Sequence, residues 1–259
     1  MILISIHEKS NNITHDNDGN SFTVFTLKPE EFESLKVTLI GVLPDYYVDP
    51  QSIAGTLARL GKNAAAQKLL TKIPEVKNIR SGDIGEVLAS DYIEESLGYN
   101  VPIRKLRWRD HRNMAMRGDD VIGIIVNQQQ QTIKFLKAEA KANKILGRGI
   151  LEDARKELDL DDGFPAPHAL EFVAERLRES GNQALSDLIE KVQLVDGIRA
   201  NQVEHLLFTF TASNPATLQK ESFDAYDGNI KQTSIGFRVT EHQELIAGVY
   251  QGVIDGLND

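Results

Sequence analysis

The sequence contains no cysteine among its 259 residues. This excludes disulfides, thiolate metal sites and cysteine nucleophiles. An uninterrupted apolar run long enough to cross a bilayer, about eighteen residues, is also missing. The first ten residues, MILISIHEKS, lack the basic start and the small-residue cleavage site of a signal peptide. These absences favour a cytoplasmic protein that does not bind a membrane.

The signatures of several enzyme classes are missing as well. No Gly-x-x-x-x-Gly-Lys-Ser/Thr loop is present, so the chain is not expected to hydrolyse ATP. The six histidines include no His-x-x-x-His pair suited to zinc, and no serine lies in a Gly-x-Ser-x-Gly elbow. A helix-turn-helix or zinc-finger signature that would read DNA bases is also absent.

The overall charge conceals a local excess of the opposite sign. The chain has a net charge of −9, which argues against a nucleic-acid partner. Residues 101–117, however, carry six basic side chains and one acidic side chain, a net charge of +5, which leaves −14 for the rest. Screening limits exposed charges to a reach of about 10 Å, so the local charge decides phosphate binding. The segment is either a phosphate-binding surface or simply a solvated basic loop.

The amino-terminal part predicts a small α+β module, residues 1–76. Short apolar or alternating runs predict strands at Met1–His7, Phe22–Leu27 and Leu35–Leu43. Between the last two, Pro29–Phe32 is typical of a helix start. Asp49 as N-cap and Pro50 at the first helical position predict a helix to about Leu60. Gly61 then separates it from a second helix that ends near Lys72. No chemical constellation lies here, and partner docking is the role we expect.

Residues 77–259 predict a larger domain with an α/β fold. Helices are expected at Ser81–Leu97, Ile150–Leu158, Pro167–Ser180, Gln183–Asp196 and Glu241–Leu257. Strands are expected at Val101–Arg107, Asp120–Val126, Thr132–Lys141, Glu204–Thr211 and Gly236–Val239. This order predicts a mixed sheet flanked by helices on both faces.

Glu86 is the first of three acidic features in this domain. Its helical stripe includes Ala89, Ser90 and Ile93, which are small or apolar. A carboxylate on such a stripe usually needs a partner, because an unpaired buried charge is costly. The alternative is an N-terminal glutamate that merely favours the helix dipole.

The other two features lie on neighbouring predicted strands. Asp119 and Asp120 precede the apolar run Val121–Val126, although Gly-Asp-Asp is also an ordinary turn sequence. Glu139 and Lys141 end the next strand, and side chains two residues apart on a strand share a face. A surface Glu–Lys salt bridge would explain that pair equally well when it is taken alone.

In combination, these residues predict hydrolysis of a phosphodiester. Three carboxylates at one end of a sheet are suited to Mg²⁺ or Mn²⁺, which prefer oxygen ligands. The bound cation would polarise the phosphodiester and activate a water molecule. Lys141 would orient that water and offset the charge that develops on phosphorus.

Glu86, Asp120 and Glu139-Ala140-Lys141 resemble the core of the PD-(D/E)xK nuclease superfamily over residues 80–145. The resemblance implies a magnesium-dependent endonuclease with these residues as its catalytic and metal-binding groups. Asp119 stands where the superfamily has proline, so Asp119 remains an alternative metal ligand. We favour Asp120, because it shares a strand face with Ile122 and Ile124.

At whole-chain level the sequence resembles the nuclease subunits of the Hachiman anti-phage defence system. The segments that carry the resemblance are RSGDIGEVLASDYIEE, RGDDVIGI and FLKAEAKANKILGRGILEDA. The resemblance implies DNA as substrate and a superfamily 2 DNA helicase as partner. It also implies that cleavage is restrained within the complex and released when infection disturbs DNA.

The basic segment is the predicted DNA-binding surface. On a strand, Lys105, Arg107 and Arg109 would form one phosphate-facing row, continued by Arg112 and Arg117 in the loop before Asp120. Two other functions remain open: an inactive nuclease fold that acts as a DNA-binding or regulatory subunit, and an unrelated α/β protein whose motif is accidental. Convergence of the three carboxylates distinguishes the nuclease from both.

Overall fold

A mixed β-sheet forms the centre of the molecule, which is a computed structural model. The structure describes residues 10–17, 19–116, 118–127, 129 and 132–258. In these residues the sheet has six strands: β1 Ser10–Asn17, β2 Asn20–Leu27, β3 Val121–Asn127, β4 Thr132–Asn143, β5 Val203–Thr211 and β6 Lys231–Arg238. Their order is β1-β2-β6-β5-β4-β3. The strands β2, β6, β5 and β4 run parallel, and the two outer strands run antiparallel to their neighbours.

The α-helices of the described residues are α1 Phe32–Tyr47, α2 Pro50–Leu60, α3 Lys62–Leu70, α4 Lys77–Glu95, α5 Arg148–Asp159, α6 Pro167–Glu179, α7 Gln183–Lys191, α8 Ala216–Asp224 and α9 His242–Asn258. Asp49 caps α2 as expected, because its carboxylate accepts hydrogen bonds from the backbone N–H groups of Gln51 and Ser52. Among these residues, no helix is both long and apolar enough to cross a membrane.

The period of two along β4 divides its side chains between two helical layers. Leu136 and Ala138 pack into a core shared with α1, α4 and α9. Ile133 and Phe135 point to the opposite face, where α6 and α7 cover them. The predicted fold class, a mixed sheet flanked by helices, is therefore confirmed.

Two predicted strands are wrong. Residues 35–43 lie within the helix α1, where Leu35, Leu39 and Leu43 recur every fourth residue and are all buried. That spacing is a helical stripe, which a short apolar run conceals.

The predicted strand Val101–Arg107 is also absent. Residues 101–104 are irregular, and Lys105–Trp108 is a short 3-10 helix. Pro102 provides a physical reason, because proline has no N–H to donate to a strand ladder. Asn100, the residue just before the predicted strand, forms a single antiparallel bridge to Ile124 of β3.

The remaining differences between prediction and structure concern where elements begin and which elements were not predicted. The last strand begins earlier than expected, at Lys231, and α4 begins at Lys77. The strand β1 and the helix α8 were not predicted. The expected strand Met1–His7 lies outside the described residues. Strands from both sides of residue 76 share the sheet, since β2 pairs with β6; the division into residues 1–76 and 77–259 stays a prediction.

Candidate active site

Asp120 lies at the point where β3 begins beside β4. Val121 pairs with Ala138 in the antiparallel register, so one further step places Asp120 opposite Glu139. The Asp120 carboxylate accepts a hydrogen bond from the backbone N–H of Ala140, with an N–O distance of 2.9 Å. The predicted aspartate is thus held directly against the Glu-Ala-Lys segment.

Glu139 and Lys141 extend from the same face of β4 and form an ion pair. Glu139 is only 8% exposed. Burial and the negative charge of Asp120 raise the pKa of Glu139 to about 8, although the hydrogen bond and charge of Lys141 oppose this rise. Burial by itself lowers the pKa of Lys141, but the bond and charge of Glu139 outweigh it and raise that pKa.

Glu86 approaches from the other helical layer. It lies on α4, which packs against the apolar face of β4, whereas Glu139 points to the face covered by α5 to α7. Burial, and next the charge of Asp120, raise the pKa of the half-buried Glu86 well above its ordinary value. Lys105 and Arg109 oppose that rise. Asp120 is therefore the group whose charge acts on both glutamates.

A close contact holds α4 against the end of β4. A Cβ atom added at Gly85 would lie 3.0 Å from the Ala142 Cβ atom, so a larger residue would push the helix away. One turn earlier, the Ser81 hydroxyl donates to the Ala142 carbonyl at 3.0 Å. These two contacts fix Glu86, the next residue of α4, relative to Glu139 and Lys141.

Asp119 has different partners from Asp120. Its carboxylate accepts a hydrogen bond of 2.7 Å from the backbone N–H of Ala166, which precedes α6. A second carboxylate oxygen lies 3.7 Å from the ammonium of Lys137, a side chain that is 2% exposed. Lys137 also donates to the Leu160 carbonyl at 2.8 Å. Asp119 thus connects the sheet with α6 and does not share the environment of Asp120.

The expected convergence of Glu86, Asp120 and Glu139 in one metal-sized pocket is not seen among the described side chains. Among them, no three His, Cys, Asp or Glu groups stand close enough together to hold a metal ion. Glu139 is instead bonded to Lys141. After burial, the negative charge of Asp120 is the next cause of the raised pKa values of both Glu86 and Glu139. The three predicted carboxylates are therefore related by electrostatic interaction with Asp120.

The predicted row of basic side chains does not exist, because the segment is not a strand. The arginines bind acidic groups instead: Arg104 to Glu94, Arg107 to Asp49, Arg109 to Asp83 and Arg112 to Glu75. Lys105 donates to the carbonyl of Asp119 at 2.7 Å. Arg117 lies outside the described residues. Whether these residues bind DNA stays a prediction.

Arg109 belongs to a buried network beneath the candidate site. Both terminal nitrogens of Arg109 bind the carboxylate of Asp83, and the Arg109 side chain is 4% exposed. The Tyr47 hydroxyl donates to the same carboxylate at 2.5 Å and lies 2.6 Å from the Tyr250 hydroxyl. The network joins α1, α4 and α9 to the basic segment, one helical turn from Glu86.

Two residues of this region were missed from the sequence. Lys137 lies two positions before Glu139, so the strand period could have revealed a Lys-x-Glu-x-Lys face. Asp83 lies three positions before Glu86 on α4, but its partner Arg109 is separated from it by 26 residues. No local sequence pattern predicts a pairing between residues so far apart in the chain.

The mixed sheet, with helices on both faces and acidic residues where β3 and β4 meet, is consistent with a nuclease-like α/β fold. A family model described as HamA matches residues 1–253, and the chain therefore belongs to the HamA family. The Hachiman protein HamA of Bacillus cereus is 30% identical over 120 residues, which cover 46% of this chain and 41% of that protein. The aligned part thus spans about two fifths of the relative. The whole-chain resemblance seen in the sequence is confirmed at the level of the family.

Proposed function

We propose that the chain is a metal-dependent DNA endonuclease that acts in Hachiman anti-phage defence in the cytoplasm. Membership of the HamA family supports the defence role. The single observation that supports the chemistry is the position of Asp120, beside Glu139 and Lys141 and coupled to Glu86. In this proposal Glu86, Asp120, Glu139 and Lys141 are the catalytic residues.

The donor set fits Mg²⁺ or Mn²⁺. Burial and the charge of Asp120 raise the pKa values of Glu86 and Glu139, a divalent cation would stabilise these groups as anions, and carboxylate oxygens are the ligands that such cations prefer. Glu86, Asp120 and Glu139 would hold the ion, while Asp119 is already bound to Lys137 and Ala166. When bound, the ion polarises the phosphodiester and lowers the pKa of a coordinated water.

Lys141 has the role of a positive charge beside the reacting phosphate. Its ammonium is held next to Glu139, and the side chain is 26% exposed, so substrate can reach it. The raised pKa keeps the ammonium protonated at neutral pH. A protonated lysine can hold the phosphate and offset the negative charge that grows on its oxygens.

The DNA contacts we propose differ in accessibility. Lys105 lies against the backbone of Asp119, next to the candidate site, and Arg117 is three residues from Asp120 in the chain. Arg107 and Arg112 are partly exposed and would exchange their acidic partners for phosphate. Arg109 is buried, so a contact with phosphate would require that its bond to Asp83 be broken. Contacts of this kind position DNA without reading its sequence.

The proposed partner is a HamB-like superfamily 2 helicase that restrains the nuclease. Family membership and the sequence resemblance support this assignment. Co-purification with the helicase, followed by cleavage assays of the complex and of the isolated chain, tests it. Restraint predicts that the isolated chain cuts DNA faster than the complex; equal rates would contradict restraint.

A second function is favoured by a specific observation. The ion pair between Glu139 and Lys141, with no ready metal cluster among the described residues, is also what an inactive nuclease fold would show. Such a subunit would bind DNA without cutting it. Calorimetric titration of the protein with Mn²⁺ separates the two, because only the nuclease requires metal binding that Glu139→Ala removes.

Plasmid cleavage tests the proposed function. Wild-type protein is incubated with supercoiled DNA in Mg²⁺ or in EDTA, beside Glu139→Ala and a control, Glu171→Ala, which removes an exposed glutamate of α6. We expect nicked and linear products only for the wild type and the control, and only with Mg²⁺. Cleavage in EDTA, or by Glu139→Ala at the wild-type rate, would contradict the proposal.

A further inference from the structure

A cleft of about 570 Å³ opens directly beside Asp120. It lies between α6 and residues 103–116, at the edge strand β3. Its walls are lined by Trp108, His111, Met114, Met116, His168 and Phe172. Asp119, Asp120 and Lys105 border it as well. The volume falls within the range of roughly 300–1,000 Å³ that small-molecule sites occupy.

The walls of the cleft are aromatic and thioether surfaces. The rings of Trp108 and Phe172 meet edge to face, with 5.9 Å between their centroids. Met114 is 61% exposed and so presents its thioether to the open side of the cleft. An apolar concave surface that is left open next to polar groups marks a binding site.

We propose that this cleft binds a nucleobase of the DNA strand whose scissile phosphate lies at Asp120. The inference rests on the proposed nuclease function. Asp120 borders both the candidate active site and the cleft, so a nucleotide next to the cut phosphate lies within reach of the cleft. Aromatic side chains bind bases by stacking, whatever the sequence, because every base has a π-face.

The charges of the cleft favour the base over the phosphate. Asp110 lines the cleft, is exposed and repels phosphate, whereas the Arg109 guanidinium that also lines the cleft is bound to Asp83. Lys105 borders the cleft on the side of Asp119, to whose carbonyl it donates, and would bind the phosphate that links the base to the active site. The neutral, flat base is thus the part of a nucleotide that suits the interior.

The cleft also implies a preference for the form of the DNA. A base inside a duplex is stacked and paired, and it enters a protein pocket only if it leaves the stack, which costs free energy. Single strands, frayed ends and gaps avoid that cost. We therefore expect binding and cleavage at unpaired segments to exceed those at intact duplex.

Trp108 is the only tryptophan of the chain, so its fluorescence reports on the cleft. The experiment uses full-length Glu139→Ala protein in EDTA, titrated with a single-stranded thymidine oligonucleotide. An abasic oligonucleotide of the same length and charge is titrated in parallel. We expect a saturable change of Trp108 emission with the thymidine strand and none with the abasic strand. The affinity of each strand is measured separately, from the fluorescence anisotropy of a dye on the oligonucleotide, and should be weaker for the abasic strand.

Two substitutions locate the effect. Phe172→Ala should weaken binding of the thymidine strand roughly tenfold and leave binding of the abasic strand unchanged. Met114→Ala changes an exposed side chain and should weaken thymidine binding without affecting folding. Phe32→Ala, which removes a half-buried ring on α1, is the matched control and should bind like the parent protein.

The outcomes separate this proposal from the proposed function. Equal affinity for the thymidine and abasic strands, or a thymidine affinity that neither Phe172→Ala nor Met114→Ala changes, overturns the base pocket, even if wild-type protein still cuts plasmid. Absence of metal-dependent cleavage by the wild type refutes the nuclease function, whereas emission and affinity changes that require the base would still support the pocket.

Discussion

Asp119 and Asp120 are neighbours in the chain, but their carboxylates have different partners. Asp120 accepts a hydrogen bond from the backbone of Ala140, beside Glu139 and Lys141. Asp119 binds the backbone of Ala166 and lies 3.7 Å from the buried ammonium of Lys137. One aspartate therefore contributes to the candidate active site and its neighbour to the attachment of α6.

This division predicts opposite effects for two substitutions. Asp120→Asn should reduce cleavage at least a hundredfold, on the order of one lost transition-state contact, with little change in stability. Asp119→Asn leaves Lys137 without its anion and should lower the free energy of unfolding by roughly 3 kcal/mol. Its cleavage rate should fall less than tenfold. Urea unfolding and plasmid cleavage measure both; the reverse ranking would show that Asp119 is the ligand.

The buried pair of Asp83 and Arg109 predicts a non-additive change in stability. Arg109→Met leaves the Asp83 carboxylate buried without its cation and should cost roughly 3–5 kcal/mol. The same loss follows Asp83→Asn, which strands the guanidinium. The double variant should lose clearly less than the two single losses combined, because neither charge is then left unpaired. Additive losses in urea unfolding would contradict the pairing.

Because the pKa of Glu139 is raised, we expect the stability of the metal-free protein to fall as pH rises. Its pKa in the folded protein, about 8, lies above the ordinary value of about 4.3. The folded state therefore holds a proton that the unfolded state has released, so this contribution is complete below pH 4.3 and is lost as pH rises through 8. Metal-free wild type should lose more stability between pH 6 and pH 9 than Glu139→Gln does. Thermal unfolding in EDTA measures the difference, and parallel curves would contradict it.

Because of His242, we expect the protein to lose stability as pH falls. The side chain is fully buried against Phe210, with 4.1 Å between ring centroids, and burial lowers its pKa to about 4. As pH falls below about 6.5, the unfolded state binds a proton that the folded state does not, so stability is lost between pH 6.5 and pH 4. The expected loss is about 3 kcal/mol. His242→Phe should lose less over this interval; an equal loss would show that His242 is not the cause.

The metal-binding proposal predicts a stabilisation that depends on the same carboxylates. A ligand that binds only the folded state raises the melting temperature in proportion to the logarithm of its concentration above Kd. Mg²⁺ or Mn²⁺ should raise that temperature for wild type and for Glu171→Ala, but not for Glu86→Gln or Glu139→Gln. A shift that persists in both site variants would place the ion elsewhere.

The sequence predicted the parts of the site that depend on local order. The strand period and register account for the contact of Asp120 with the Glu139–Lys141 segment, whereas the catalytic roles of Glu86, Asp120, Glu139 and Lys141 stay a prediction. The arrangement of the basic segment could not be predicted. Arg109 and Asp83 meet across 26 residues and Arg107 and Asp49 across 58, and such ion pairs depend on tertiary packing.

The errors in the fold have similar causes. The apolar run of α1 fitted a strand as well as a helix when only nine residues were considered, and the four-residue spacing of Leu35, Leu39 and Leu43 decided the outcome. Pro102 is a local signal against a strand in the basic segment, because proline has no N–H to donate to a strand ladder. The helix α8 has no strong capping residue, since Pro215 precedes it without a side-chain cap.

The central claim is that Glu86, Asp120, Glu139 and Lys141 act together in metal-dependent DNA hydrolysis. Its most direct test is the Mg²⁺-dependent cleavage rate of one DNA substrate under single-turnover conditions, for wild type, Glu86→Gln, Asp120→Asn, Glu139→Gln and Lys141→Met. We expect each of the four variants to cleave at least roughly a hundredfold more slowly than wild type, while Glu171→Ala keeps the wild-type rate. A wild-type rate in Asp120→Asn or Glu139→Gln, or no cleavage by any form of the protein at any Mg²⁺ concentration, would contradict the claim.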